Sequence, residues 1–256
     1  PIWSVMTRIA ILCGTGMSSL ADDFIKSAKH TVSFIRVSSE WGDVPLNLVT
    51  TNQGKFVFID RHHSPDDSRT APHEIEHRAN VHAAASTNPD LIISINSVGS
   101  MNDELPPGNI GIAGDVLDLS IRPWSFHNDD THFDRTSPFD EKAISIAFEA
   151  LSTQDSAVIK NLIVAQCIGP QFETAAEIDA LEKLGADVIG MTLGPEQRLV
   201  CETGIPHLAL CCSSNWAAGR EPGAPLAPID HHSVDAMAAT LKSKISLCLD
   251  SLINNY

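Results

Sequence analysis

Four stretches constrain this chain before anything else does: RIAILC at 8–13, KFVFID at 55–60, LIISIN at 91–96 and HLALCC at 207–212. Each holds a continuous apolar run of strand length, without the alternation of a strand that has one wet face. Such runs suit strands of a sheet covered on both sides. Further strands are expected at 32–37, 46–51, 110–117, 161–167 and 187–191. Helical spacing falls between the later strands. Over 174–184, Ala175, Ile178, Leu181 and Leu184 share a stripe, and Gly185 follows as a left-handed cap. Pro195 opens a helix over 196–203 that Gly204 closes. One last helix is expected over about 233–252, with Val234, Met237, Leu241, Ile245, Cys248 and Leu252 at helical spacing. The segments 122–138 and 219–228 read as loops. Nothing resembles a linker or repeat. The expectation is one α/β domain over 1–256, a central mixed, twisted, partly barrel-like sheet flanked by helices.

Charge narrows the partners. The 256 residues include 32 acidic and 17 basic ones, a formal net charge of −15. A broad basic face for nucleic acid or an anionic membrane is therefore not expected. No run of 18 apolar residues suggests a membrane span. Residues 1–12 are apolar but lack a basic start and a small-residue cleavage site, so they read as a first strand rather than a leader. The six cysteines show no C-x-x-C spacing, which fits reduced thiols and a cytoplasmic location.

Against that acidic background, several strands run into glycines, hydroxyls or cations. Gly14-Thr15-Gly16, Arg61-His62-His63, Ser97-Val98-Gly99-Ser100, Gly190-Met191-Thr192 and Ser213-Ser214-Asn215 each follow an expected strand. Ligands of α/β sheets sit at the carboxyl ends of strands, so these five ends suggest one polar site. Arg61 offers a planar fork for an oxyanion and His62 a further donor. A solvated loop accounts for the same residues. Gly14-Thr15-Gly16 is neither a Walker loop nor a complete dinucleotide fingerprint. His62, His63, His73 and His77 form a conceivable zinc set, but no cysteine lies near them and no metal is expected.

The stretch CIGPQFETAAEIDALEKLGADVIGMTLGPE at 167–196, with RHH…PHEIEHRAN and SSNWAAG, resembles the trimeric purine nucleoside and methylthioadenosine phosphorylases. Two motifs carry the likeness, G-P-x-F-E-T-x-A-E and G-A-D-x-x-G-M-[ST]-x-x-P-E. The resemblance implies the nucleoside phosphorylase fold and a homotrimer whose pockets close across an interface. It implies Thr15, Arg61, His62, Thr192 and the backbone near Ser97 as the phosphate site. Met191 and His231 would meet the ribose, although His232 competes for the second place. Phe172, Glu173 and Asn215 would read the base, and a neighbour's His132 would complete the pocket. Arg61, His62 and Asn215 would carry catalysis. No cofactor is implied beyond inorganic phosphate as co-substrate.

Hydrogen-bond polarity then separates substrates. A carboxylate at Glu173 accepts from the N1–H of a 6-oxopurine; Asn215 donates to O6 and accepts from a protonated N7. Adenine turns a lone pair toward the carboxylate. The expected reaction is phosphate-dependent cleavage of inosine or guanosine to free base and ribose 1-phosphate, in purine salvage. The alternatives are phosphorolysis of methylthioinosine or methylthioadenosine, and a catalytically silent nucleoside-binding relative. Three places depart from the family's pattern: Cys13 in the first turn, His63 after Arg-His, and Ser97 with Ser100 in the third turn. Each adds a side chain where backbone would approach phosphate.

Overall fold

The computed structural model describes residues 6–14, 17, 19–26, 29–66, 68–154 and 157–256. Among them, strands β1 (Arg8–Cys13), β2 (Thr31–Ser39), β3 (Gly42–Thr50), β4 (Lys55–Asp60), β5 (Leu91–Ser100), β6 (Ile110–Leu117), β7 (Ile159–Gln166), β8 (Val188–Gly190) and β9 (His207–Trp216) form one mixed sheet. Its order is β2-β3-β4-β1-β5-β8-β7-β6-β9, and β5 also pairs with β9. The last five strands therefore close into a barrel-like ring, while β2–β4 and β1 extend from it as an open wing. β1 lies parallel between β4 and β5, and β5 parallel to β9. The carboxyl ends of these four strands consequently point the same way.

The apolar runs behave as their composition dictates. In β1, Ile9, Ile11 and Cys13 enter one core cluster and Ala10 and Leu12 the other. Both faces are covered, so the strand needs no polar alternation. Fully burying each such Ile or Leu contributes about 1.5–3 kcal/mol.

Helices α1 (Leu20–Ile25), α2 (His77–Ser86), α3 (Glu141–Ser152), α4 (Ala175–Lys183), α5 (Leu193–Thr203), α6 (His231–Thr240) and α7 (Lys242–Asn255) flank the sheet. α4 opens on a capping box: Thr174 accepts from the Glu177 amide and Glu177 returns a bond to Thr174. Gly204 ends α5 at φ 70°, the left-handed cap that its place predicted.

Three expectations need correcting. α5 starts two residues before Pro195, whose missing N–H is harmless anywhere in a first turn. The expected last helix is two helices. They break at Leu241, whose N–H bonds back to Ala238 only three residues away. Val234, Leu241, Ile245, Cys248 and Leu252 stay buried across the break, so apolar spacing alone cannot reveal it. Finally, β5 and β9 do not end at residues 96 and 212. They remain paired through Ser100 and Trp216, with a register shift between Val98 and Gly99. Two of the expected terminal turns are thus strand. Among the described residues no helix is long and apolar enough to cross a membrane.

Candidate active site

A cavity of about 350 Å³ opens beside the ends of β4, β5, β8 and β9. Nine of the sequence-predicted residues line it: Arg61, His62, Ser97, Phe172, Glu173, Met191, Thr192, Asn215 and His231. Thr15, with Gly16, lies outside the described residues. His132 is exposed and is not part of its own chain's cavity wall.

The inner wall is built from β4 and α5. Arg61 follows the last residue of β4 and is only 2 % exposed. Most of its fork is spent on protein acceptors. Nε donates to Glu196 Oε1 at 2.6 Å and Nη2 to Oε2 at 3.0 Å. Nη2 also reaches the Leu12 carbonyl at 2.9 Å, and Nη1 the Ile95 carbonyl at 2.8 Å. Four of the five guanidinium N–H groups are thereby committed, and among the described residues one on Nη1 has no acceptor. The guanidinium presses so closely on Gly14 that a Cβ there would lie 2.2 Å from Nη1. Glycine is required at that position by contact rather than by a turn.

Glu196 is fully buried and also accepts from Ser94 Oγ at 2.6 Å. With that hydrogen spent, the Ser94 oxygen accepts from His207 Nε2 at 2.9 Å. Burial, and then Arg61, hold His207 down to about 3. His77 stands 4.0 Å from Glu196, and burial with Arg61 keeps its pKa well below the usual imidazole range. Both rings are neutral, and Glu196 alone balances the Arg61 charge.

His62 is the second surprise. Its ring Nδ1 lies 2.8 Å from the Thr70 carbonyl, so Nδ1 carries the hydrogen. Burial, then Arg61 and Arg69, lower its pKa to about 4, against the pull of the Thr70 bond. The neutral ring therefore holds a lone pair at Nε2. The expectation that His62 supplies a donor is corrected: at neutral pH it is an acceptor.

Three of the four residues at those departures from the family pattern leave the cavity alone. Cys13 is buried, its thiol pushed up to about 12. His63 turns to Asn80 Oδ1 at 3.0 Å, and Ser100 bonds the Asn102 carbonyl at 2.9 Å. Only Ser97 lines the wall, with its hydroxyl on Ser214 Oγ at 2.7 Å. Thr192, at the start of α5, spends its hydroxyl on Asn96 Oδ1 at 3.1 Å. The positive end of α5 therefore meets the cavity at Thr192, a place that favours an anion.

At the other end, Asn215 Nδ2 donates one hydrogen to the Trp216 carbonyl at 2.8 Å, and Oδ1 accepts from Ser214 at 3.0 Å. One N–H and one lone pair remain. Glu173, one residue before the α4 cap, receives the Cys167 thiol on Oε1, while burial and then Glu173 itself raise the thiol pKa. His231 opens α6 with its side chain 65 % exposed, 3.6 Å from Asp235.

Sequence reasoning missed Arg69, Thr70 and Val234 in the wall, and Glu196 behind it. Nothing in the acidic loop before Arg69 marks that residue. Glu196 had one signal: an arginine ending a buried strand needs a buried acid.

Comparison with known proteins follows the same direction. The Phosphorylase superfamily pattern matches residues 8–254. A probable S-methyl-5'-thioinosine phosphorylase of Methanopyrus kandleri is 32 % identical over 84 % of this chain and 80 % of its own length. A probable 6-oxopurine nucleoside phosphorylase of Thermococcus kodakarensis is 29 % identical over 95 % and 91 %. Among solved structures, the methylthioadenosine phosphorylase of Schistosoma mansoni superposes with a TM-score of 0.84 at 19 % identity, covering 96 % of this chain and 90 % of that one.

Proposed function

The chain belongs to the Phosphorylase superfamily, and from that premise and the cavity we propose that it is a 6-oxopurine nucleoside phosphorylase. It uses inorganic phosphate to cleave inosine or guanosine into free base and ribose 1-phosphate. One observation carries the choice of base: Glu173 and Asn215 line the same cavity, and each keeps unused hydrogen-bonding capacity. A carboxylate oxygen accepts from N1–H, while the spare Asn215 N–H meets O6 and its oxygen meets N7–H.

The ribose passes through an oxocarbenium-like state, as in other glycosyl transfers. Phosphate approaches the anomeric carbon from the Arg61–Thr192 end. The remaining Arg61 N–H and the positive end of α5 orient it. The His62 lone pair accepts from a protonated phosphate oxygen or a ribose hydroxyl. As the bond breaks, electrons flow into the purine and Asn215 stabilises the imidazole ring that receives the charge. No metal or organic cofactor takes part.

A second reading, cleavage of methylthioinosine, has its own support. Val234, three residues after His231 on α6, also lines the cavity and offers an apolar neighbour to a 5'-methylthio group. The reading further includes a homotrimer. His132 is exposed and outside its own cavity, as a residue lent to a neighbour must be. Light scattering at micromolar concentration tests the trimer.

The decisive experiment is base release from inosine, guanosine, adenosine, methylthioadenosine and methylthioinosine, each with and without phosphate. Hypoxanthine release only when phosphate is present supports the reading. Release without phosphate identifies a hydrolase. No release from any nucleoside, with binding retained, identifies a silent relative.

A further inference from the structure

The cavity has to hold a phosphate anion, yet its cations are mostly spent. Arg61 is paired bidentately with a fully buried Glu196 and offers one N–H. Burial keeps His62 neutral, with its Nδ1 hydrogen spent on Thr70, and His63 points to Asn80. His231 lies at the outer rim, 3.6 Å from Asp235. Arg69 is different. It lines the cavity with its side chain 47 % exposed, and among the described residues its ion pair, to Asp60 Oδ2, is long at 3.5 Å. Asp60 is itself already used, since Oδ1 takes the His62 amide at 3.0 Å.

The loop bearing Arg69 is also held in place. Thr70 donates its amide to the His62 carbonyl at 2.9 Å and its hydroxyl to the His63 carbonyl at 2.7 Å. It accepts the His62 ring hydrogen at 2.8 Å. Three hydrogen bonds thus clamp the residue next to Arg69 against the end of β4. The Arg69 head is half exposed, while the backbone next to it is held beside His62. A charge-assisted bidentate contact from such a side chain is within reach of an oxyanion that also meets His62.

We infer that Arg69 is a binding residue for the anionic co-substrate, supplying the net positive charge that the Arg61–Glu196 pair does not. This rests on the phosphorylase reading. Phosphate displaces Arg69 from Asp60, an exposed contact of little worth. The bidentate contact it gains is stronger. Arg61 then acts mainly by shape and one hydrogen bond, and Arg69 by charge.

The test is titration calorimetry of inorganic phosphate into wild type, Arg69→Gln, Arg69→Lys and the distant surface control Arg36→Gln. Inosine phosphorolysis with phosphate and nucleoside varied separately accompanies it. Arg69→Gln is expected to weaken phosphate binding about tenfold or more while the inosine KM moves less than about twofold. Arg69→Lys should recover part of the loss and Arg36→Gln should lose nothing. Added chloride should weaken phosphate binding to wild type more than to Arg69→Gln. An Arg69→Gln protein that binds phosphate like wild type overturns the role of Arg69 and leaves the functional reading standing. Base release from wild type without phosphate overturns both.

Discussion

At and behind the inner wall of the cavity, Arg61, Glu196, Ser94 and His207 are each 3 % exposed or less, and each bonds to another of the four. On the rim, Arg69 leaves 47 % of its side chain in solvent and His231 65 %. The wall spends its polar groups on one another and on the carbonyls of Leu12 and Ile95; the rim holds its own in long, exposed contacts, Arg69 with Asp60 and His231 with Asp235. Burial explains the difference. A charge taken out of water must be fully paired within the protein, so a deep cation cannot wait uncompensated for a ligand. An exposed cation is solvated and can exchange water for an anion at little cost. The wall therefore sets shape, and the rim supplies adaptable charge.

Breaking the wall should give the largest effect. Glu196→Ala leaves Arg61 buried without its acid, at a cost of about 3–5 kcal/mol. For a chain of this size that lowers Tm by roughly 10 °C in calorimetry. A drop smaller than the one produced by Arg69→Gln would erase the contrast between wall and rim.

Acid should attack the wall before the rim. His62, His77 and His207 all have folded-state pKa values depressed below the unfolded value, to about 4 for His62 and about 3 for His207. Below about pH 6.5 the unfolded chain takes up protons there and the folded chain does not. Their stabilising contribution is complete above that pH and is lost as pH falls toward 4. Chemical denaturation at a series of pH values should show stability declining between pH 6.5 and 4 by about 3 kcal/mol for each such imidazole. A flat profile would mean that these imidazoles are not buried neutral.

Base choice sharpens the comparison from the other end of the cavity. Asn215→Asp should shift kcat/KM from inosine toward adenosine by roughly tenfold to a hundredfold, because a carboxylate accepts from the exocyclic amine but cannot donate to O6. Wild-type protein that prefers the 6-amino nucleosides would remove Glu173 and Asn215 from the base site. His231→Ala should do least: an unchanged Tm, and a change in nucleoside KM of about threefold, as befits one exposed hydrogen bond. If methylthioinosine loses nothing while inosine loses activity, His231 meets a 5'-hydroxyl.

Much of this was legible in the residues themselves. Continuous apolar runs require strands covered on both faces, and Gly204 or the Thr174–Glu177 box marks a helix end through local backbone chemistry. These are short-range constraints, so the sequence determines them alone. The gathering of Arg61, His62, Ser97 and Asn215 was also readable, because the parallel strands β4, β5 and β9 deliver their carboxyl ends to one side, whereas the places of Phe172, Glu173 and His231 came from the family resemblance.

The direction of each side chain was not readable. That the Arg61 fork meets Glu196, 135 residues away, and that the His62 ring donates to Thr70, depends on which elements tertiary packing brings against β4. The continuation of β5 and β9 past residues 96 and 212 likewise comes from their mutual pairing across the closed ring. A sequence displays which groups can ionise and bond. Only the fold decides how deeply each is buried, and burial decides whether a charge is spent on the protein or kept for a ligand.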